Sequence, residues 1–422
     1  MSLNTKSNKR NLLIVGLISF LNALTFAAII PIIYSYAASF GLNDTLIGLL
    51  FGSFAFAQFF ATPVIGRLSD KYGRKPLLVI SLLGTFIANV IQAFAGSAWV
   101  LFLARMLDGI TGGNNSVAQA VISDSTEQKD RPMGFAIFGA SFGLGFLFGP
   151  VIALAIMPYG NNYVFLFSAL IALLAAILTA VFLPETNLTR ETKKLDLFDT
   201  LFLQIYKGFK MPIVRDILII NLITSLSLSV FQIAFQPYIK VNFGLGEEHI
   251  SYVLILSGIV NILFLPLVKI FTNKFGLYKL LNLTFLFRAL NFAILALLVD
   301  QSVFWLMMVV FAFVNLFSRP IITSLLTRNV KSEDQGVAIG VSESMFSLGL
   351  AVGPAIFAFV NLPLQEGFTF LQIPLITDML IDLAKNYTLS FYAIAIISVI
   401  AWFYVLWFLR RIKYSKSGNN DF

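Results

Sequence analysis

Long apolar stretches separated by short polar connections recur along the whole chain of 422 residues. A membrane-spanning α-helix needs roughly 20 mostly apolar residues, and a helix satisfies its own backbone hydrogen bonds in lipid. The pattern therefore predicts an all-α membrane protein with twelve transmembrane helices. The predicted spans cover residues 11–37, 45–66, 76–96, 98–122, 132–157, 161–183, 213–239, 249–271, 278–299, 302–327, 336–360 and 387–409.

Composition agrees with this pattern and removes several classes of function. The chain is 58% hydrophobic and only 12% charged, which excludes a soluble globule. It has no cysteine and only one histidine, His249, so it offers no disulfide, thiol nucleophile or histidine cluster. We find no nucleophile–base pair and no phosphate-binding loop. The sequence therefore predicts no enzymatic activity, no cofactor and no metal site.

The distribution of basic residues predicts the orientation of the chain. Cytoplasmic connections of membrane proteins carry an excess of Lys and Arg. With both termini in the cytoplasm, almost all basic residues of the tails and connections face that side, and only Lys240 and Lys385 lie outside. Residues 1–10 are polar and lack a signal-peptide cleavage site, so we expect a retained tail in a plasma-membrane protein. The net charge of +8 then favours anionic lipid headgroups as partners over nucleic acid.

One long polar connection divides the chain into two halves that share sequence features. At an offset of about 203 residues, segment 68–73 corresponds to segment 271–276, and the Gly-x-x-x-Gly-Pro pattern of 145–150 recurs at 349–354. This duplication predicts two pseudo-symmetric six-helix bundles. The predicted organisation is a tail at 1–10, a bundle at 11–183, a linker at 184–212, a bundle at 213–409 and a tail at 410–422.

The charged segment from Gly66 to Pro76 carries a motif with a specific spacing. Its pattern Gly-x-Leu-x-Asp-x-x-Gly-Arg-Lys resembles the connection between helices 2 and 3 of the major facilitator superfamily. The resemblance implies that family's fold, with a site between the two halves that opens alternately to each side. We expect the segment to form a very short, tightly turned loop that can act as a hinge.

Within the resemblance, the charges of this segment correspond to a cytoplasmic lock that holds the outward-open state. Asp70 and Arg74 are four residues apart and can pair. Asp124 is a third candidate for this cluster, and the alternative is that it lies at an ordinary solvated helix end. The resemblance also carries over Gly66 and Gly73. The second half has lost its charges, because Asn273 and Leu277 stand at the positions of Asp70 and Arg74.

The fifth predicted span has small residues at every fourth position, Ser141, Gly145, Gly149 and Ala153, and Pro150 adds a bend within this stripe. Such a stripe allows another helix to approach closely. Gly145, Gly149 and Pro150 also resemble the helix 5 motif of the superfamily's proton-coupled antiporters. The resemblance implies antiport, and close packing alone is the other interpretation.

Intramembrane charges supply candidates for proton coupling, because a charge at the bilayer centre costs about 2.5–3.5 kcal/mol even on the mildest scale. In the fourth span Arg105 and Asp108 lie three residues apart, so they serve in proton transfer or form a structural ion pair. Glu343 of the eleventh span has no basic neighbour on its own helix, so we expect it to bind a proton more readily than Asp108. Arg319 either contacts solute or extends towards the cytoplasmic surface. Arg288 belongs to a helix that is peripheral in the family.

Polar and aromatic residues of several spans are candidates for lining a solute cavity. The first span has no carboxylate, which departs from several multidrug members and weakens a case for cationic drugs. Phe26, Phe235 and Phe311 would suit an amphipathic organic molecule. The polar candidates are Asn22, Gln58, Asn115, Gln119, Gln232, Gln236, Asn261, Asn315 and Arg319.

Together these features predict a monomeric transporter that exports an amphipathic organic solute in exchange for protons, resembling the tetracycline and multidrug antiporters of the family. A carrier of a metabolite or organic anion, by uniport or symport, is the alternative within the transporter class. A receptor without transport activity is the alternative from another class. Segment 361–386 is expected to form an interfacial helix or a lid over the outer opening.

Overall fold

The computed structural model describes residues 5–126, 131–187, 205–206, 208–246, 248–297, 300–330, 335–365 and 387–417. These residues are overwhelmingly helical and include no β-strand, as predicted for an all-α membrane protein. The helices are α1 (Thr5–Ala38), α2 (Asp44–Tyr72), α3 (Arg74–Ala93), α4 (Ala98–Thr111), α5 (Asn114–Ser125), α6 (Arg131–Ile156), α7 (Asn161–Phe182), α8 (Pro212–Phe243), α9 (Glu248–Phe275), α10 (Leu277–Leu297), α11 (Gln301–Arg328), α12 (Gln335–Gln365) and α13 (Thr388–Ser417).

Most of the predicted spans are single long helices. Among the described residues, ten helices are long and apolar enough to cross a membrane, and α9 makes eleven if its two parts count as one span. These parts meet at an angle of 62° between Phe264 and Pro266, since a proline inside a helix removes a backbone hydrogen bond. The segments 188–204 and 366–386, which contain most of the predicted linker and the predicted interfacial helix or lid, lie outside the described residues.

The fourth predicted span, 98–122, consists of two consecutive helices. The helices α4 and α5 have 14 and 12 residues, so they are about 21 and 18 Å long and each is shorter than a hydrocarbon core of about 30 Å. Gly112 and Gly113 separate them. The break leaves the carbonyl of Gly112 without a helical partner, and the side chain of Gln58 donates a hydrogen bond to it at 3.0 Å.

The charged segment 66–76 is helical rather than a loop, contrary to the prediction. The helix α2 continues to Tyr72 and α3 begins at Arg74, so the turn consists of Gly73 alone. Gly73 has φ of 112°, a conformation that favours glycine. Pro76 lies in the first turn of α3, where a proline costs no helical hydrogen bond. The charges therefore project from two rigid helix ends.

The small residues predicted to allow close helix packing do so in both halves. A Cβ atom at Gly149 would lie 2.8 Å from the carbonyl oxygen of Leu24, so α6 packs directly on the backbone of α1. In the second half, a Cβ atom at Gly349 would lie 2.7 Å from the carbonyl oxygen of Leu222 on α8. The duplicated Gly-x-x-x-Gly-Pro pattern thus makes the same kind of contact twice.

The two halves meet mainly through α2 with α12 and through α6 with α9. We call the end of the bundle that carries residues 67–75 the basic end, and the other end the opposite end. Towards the opposite end, a Cβ atom at Gly52 would lie 2.9 Å from Pro354, and one at Gly258 would lie 2.8 Å from Leu147. These close approaches bring the halves together there.

Candidate functional site

A buried ion pair lies in the first half, on the helix that ends at the glycine break. Arg105 Nη1 lies 3.3 Å from Asp108 Oδ2, and the two residues are only 4% and 5% exposed. The hydroxyl of Thr85 on α3 is hydrogen-bonded to Asp108. The guanidinium of Arg105 lies over the ring of Phe54 on α2, 4.6 Å from its centroid. The predicted pairing on one helix face is therefore present in a site shielded from water.

A second pair connects two helices of the second half and corrects the prediction for Glu343. Arg319 Nη2 on α11 donates to both carboxylate oxygens of Glu343 on α12, at 2.8 and 2.7 Å. Glu343 has no basic partner on its own helix, as expected, but a neighbouring helix supplies one, so the reason for expecting Glu343 to bind a proton more readily than Asp108 does not hold. The side chains of Arg319 and Glu343 are 50% and 26% exposed, so this pair is accessible.

A row of phenylalanine rings connects the two ion pairs. The guanidinium of Arg319 lies 6.0 Å from the centroid of Phe142 on α6. From there the centroid distances are 5.1 Å to Phe146, 6.0 Å from Phe146 to Phe26 on α1, and 5.5 Å from Phe26 to Phe54. Because Phe54 lies under Arg105, the row crosses from the exposed pair to the buried one. We call Phe142, Phe146, Phe26 and Phe54 the aromatic row.

Several of the polar residues predicted to line a cavity have partners in the protein. Asn22 of α1 exchanges hydrogen bonds with Asn114 and donates to Asn115. Asn261 and Asn315 each donate to a carbonyl of their own helix. The remaining polar candidates differ in exposure, with Gln236 buried and Gln119 and Gln232 half-buried.

Two of the aromatic candidates do not lie in a cavity. Phe235 and Phe311 are buried in an apolar cluster of the second half, which corrects the prediction for them. The chain has 44 phenylalanines, so the sequence could not distinguish these two from Phe26, which belongs to the aromatic row. Only the packing of α8 and α11 shows that their rings fill the core.

Gln58 connects the break in the first half with the helix that carries Glu343. Its Nε2 atom donates to the carbonyl of Gly112, at 3.0 Å, and its Oε1 atom accepts from the hydroxyl of Ser347, at 3.2 Å. Ser347 lies one turn beyond Glu343 on α12. Both ends of the Gln58 amide are therefore engaged, one in each half of the chain.

At the basic end, the predicted charges come together around Arg74. Its guanidinium contacts the carboxylate of Asp70 at 2.5 Å and that of Asp124 at 3.0 Å, and it donates to the buried hydroxyl of Ser69 at 2.7 Å. These contacts join α2, α3 and α5. Gly66 lies on α2, where a Cβ atom would be in ordinary contact with Ser116. The role of this cluster as a lock stays a prediction.

Glu185, which the sequence analysis did not single out, completes this cluster. Its carboxylate accepts from the backbone N–H groups of Arg74 and Lys75, at 2.9 and 3.3 Å. A carboxylate at a helix N-terminus satisfies donors that have no helical partner and interacts favourably with the helix dipole. Asn187 donates to the carbonyl of Asp70 at 2.7 Å. The segment after α7 therefore fixes the turn at Gly73.

Two further buried charges lie in the second half. Arg288 on α10 is fully buried and donates to the carbonyl of Thr224 at 3.0 Å. No acidic residue of the described chain pairs with it. Asp216 is also fully buried, and it accepts from Arg411 and Tyr404 of α13 at 3.0 Å each. Asp216 thus ties the start of α8 to α13 rather than facing the space between the halves.

At the opposite end, a carboxylate connects the two halves. Asp44, at the start of α2, accepts hydrogen bonds from the hydroxyl groups of Tyr34 on α1 and Tyr387 next to α13. The ring of Tyr387 stacks on Phe357 of α12. The sequence alone does not predict this contact, because no local pattern relates residues 343 positions apart.

Comparison with known proteins agrees with this architecture. A tetracycline resistance protein of class B from Escherichia coli is 26% identical over 366 residues, which cover 84% of this chain and 90% of that protein. Multidrug resistance protein 1 of Bacillus subtilis is 28% identical over 403 residues, covering 93% and 97% of the two chains. The crystal structure of the human organic anion transporter MFSD10 superposes with a TM-score of 0.73 at 17% identity, covering 94% of this chain and 99% of that one.

The assignment of the chain to a family rests on a match over nearly the whole sequence. The model of the Major Facilitator Superfamily matches residues 15–208 and 217–422. This match includes both halves and both ion pairs described above. The chain therefore belongs to the Major Facilitator Superfamily and is a multi-pass membrane transporter.

Proposed function

We propose that this transporter exports an amphipathic organic solute in exchange for protons, by alternating access between its two halves. The observation that carries the proposal is the buried Arg105–Asp108 pair. A carboxylate inside the membrane is expensive unless it is paired or has a function. Its position next to the glycine break and at one end of the aromatic row lets a rearrangement of the helices change its surroundings. Two relatives are named for resistance to tetracycline and to multiple drugs, which supports an organic solute.

The decisive experiment measures proton and solute movement together. Purified protein in liposomes, with a pH-sensitive dye inside, should show proton flux that depends on solute and runs opposite to it. A proton gradient should accumulate solute against its own gradient. Solute movement that does not depend on the proton gradient would contradict antiport and indicate a uniporter. Movement of protons and solute in the same direction would indicate symport.

The proposal includes a location and a set of partners. The protein lies in the plasma membrane as a monomer with both termini in the cytoplasm, so the basic end faces the cytoplasm and the lipid headgroups there. Its partners are the solute and protons, and it catalyses no chemical reaction. The contacts between the halves at the opposite end then correspond to a state closed on the outside.

The charge cluster at the basic end acts in this proposal as a lock. The pairs of Arg74 with Asp70 and Asp124 hold α2, α3 and α5 as one rigid unit, on which the second half can close. Replacing Asp70→Asn should shift the protein towards the inward-open state while it remains folded. Because the chain has no cysteine, single cysteines introduced on both sides of the interface can report this shift by their labelling rates. Equal labelling of wild type and variant would contradict the lock.

A further inference from the structure

The Arg319–Glu343 pair lies where the two halves face each other. The guanidinium of Arg319 packs on Phe346 of its own half, 5.0 Å from the ring centroid, and on Phe142 of the other half, at 6.0 Å. Half of the Arg319 side chain is exposed all the same. A side chain held between α6 and α12 is exposed to the space between the halves. Arg319 is nine residues from the end of α11, about 14 Å into the membrane from the basic end.

The pair uses only part of its hydrogen-bonding capacity. A guanidinium has five N–H donors on three nitrogen atoms, and Arg319 contacts Glu343 through Nη2 alone. Its Nε and Nη1 atoms donate to no residue of the described chain. The carboxylate of Glu343 can accept further hydrogen bonds beside the two from Nη2. The site therefore offers donors for an acidic group and acceptors for a basic group at the same time.

Aromatic rings border these unused groups on the first half. Phe138, Phe142 and Phe146 are spaced four residues apart on α6, so they lie on one face. Their neighbouring centroids are 6.2 and 5.1 Å apart. Such a surface favours flat aromatic groups, which stack on phenylalanine rings with a preference beyond the buried area.

Charge balance restricts the solute further. The pair is neutral as a whole, so a solute with a single charge would leave a net charge between the halves, where charge is costly. On the basis of the function proposed above, we infer that the Arg319–Glu343 pair and the phenylalanine rings of α6 bind an aromatic solute that carries both an acidic and a basic group. The acid binds Nε and Nη1 of Arg319, the basic group binds the carboxylate of Glu343, and the ring stacks on Phe142.

This arrangement favours the movement of protons and solute in opposite directions. Arg319 is the charged group that faces Glu343 among the described residues. When Glu343 takes up a proton, its carboxyl group loses its attraction for the ammonium group of the solute. Protons and solute therefore compete for Glu343, and competition for one site is what antiport requires.

Four compounds that share one aromatic ring and differ in their charged groups test the inference. The probes are 2-naphthylalanine, its methyl ester, its N-acetyl derivative and the doubly blocked form, which are zwitterionic, cationic, anionic and neutral. Binding to purified wild-type protein, measured by isothermal titration calorimetry, should be about tenfold or more tighter for the zwitterion than for each other form. Equal binding of the anion or the cation, or binding of none of the four, would overturn the inference.

Variants assign each charged group of the solute to its partner. With Arg319→Gln, the zwitterion and the cationic ester should bind equally, because the acidic group has lost its contact. With Glu343→Gln, the zwitterion and the anionic derivative should bind equally. Arg328→Gln, an exposed arginine of the same helix, is the matched control and should keep the wild-type order. Unchanged preferences in both pair variants would contradict the assignment.

The outcome separates this inference from the proposed function. Zwitterion binding without proton-driven transport would support the site and contradict the antiport. Proton-driven transport of another solute, with no preference among the four probes, would support the antiport and contradict the zwitterion site.

Discussion

The two intramembrane ion pairs of this protein have the same chemistry in different surroundings. Arg105 and Asp108 are neighbours on one helix and almost completely buried, whereas Arg319 and Glu343 come from two helices and remain partly exposed. The buried pair borders Thr85 and Phe54 of its own half. The exposed pair reaches an aromatic ring of the other half.

The difference separates two tasks that a coupled transporter must perform. An exposed pair with unused donors can exchange its contacts with a solute without a change of fold. A buried pair cannot, since each charge needs the other in a medium of low dielectric constant. The buried pair therefore responds only when the helices around it move. We expect the exposed pair to bind and the buried pair to register the conformational change.

The largest expected effect concerns the stability of the buried pair. Replacing Asp108→Asn leaves Arg105 buried without a counter-charge, which should lower the free energy of unfolding by about 3–5 kcal/mol. The double variant Arg105→Gln with Asp108→Asn should recover most of this loss, because no uncompensated charge remains. Thermal unfolding of the purified protein in detergent measures both.

The same cycle on the exposed pair is the control. Glu343→Gln should cost about 0–1 kcal/mol, as expected for a pair that water reaches, and adding Arg319→Gln should change little. If both cycles gave the same values, the difference in burial would have no energetic meaning.

The second prediction concerns transport. The double variant Arg105→Gln with Asp108→Asn, if folded, should lose gradient-driven export and keep solute exchange, because it still binds solute but has no buried pair to register the conformational change. Glu343→Gln should instead weaken the dependence of solute binding on pH. Both activities are measured in the same vesicles. Wild-type export by both variants under a proton gradient would place the coupling site elsewhere.

Local sequence spacing predicted ion pairs between residues three or four positions apart and one close contact between helices, and little beyond. The pairing of Arg105 with Asp108 and of Asp70 with Arg74 follows from three- and four-residue spacing. The small residues of α6 likewise predicted a close helix contact. Gly112 and Gly113 are the sequence signal for the division of the fourth span into α4 and α5, whereas the apolar pattern alone predicts one helix.

Contacts between distant elements could not be predicted in this way. The partner of Glu343 lies 24 residues away on another helix, and Glu185 lies 111 residues from the helix that it caps. Each depends on how helices are arranged in space, for which a single sequence carries no periodic signal. The aromatic row needed the structure for the same reason, since 44 phenylalanines offer many possible sets.

The third prediction tests whether Gln58 connects the two pairs. Gln58→Leu removes the bonds to Gly112 and to Ser347, each worth about 0.5–1.5 kcal/mol, and leaves the carbonyl at the glycine break without a donor. The variant should leak protons without solute, because α4 and α12 no longer move together. Ser347→Ala removes only the bond between the halves and is the graded control. Tight coupling in Gln58→Leu would show that its amide serves packing alone.

The smallest expected effect tests the aromatic row, the apolar connection between the pairs. Phe26 lies at its centre, in contact with Phe146 and Phe54, and each aromatic contact is worth about 0.5–1.5 kcal/mol beyond its buried area. Phe26→Leu should leave solute affinity within about twofold, because Phe26 does not touch Arg319, while lowering the number of solute molecules exported per proton. Phe20→Leu is the matched control, since Phe20 also lies on α1 and contacts a ring of α6, Phe148, outside the row. If the ratio of solute to protons falls equally in both variants, the aromatic row has no special role. The two ion pairs must then be coupled through Gln58 and the helix backbones.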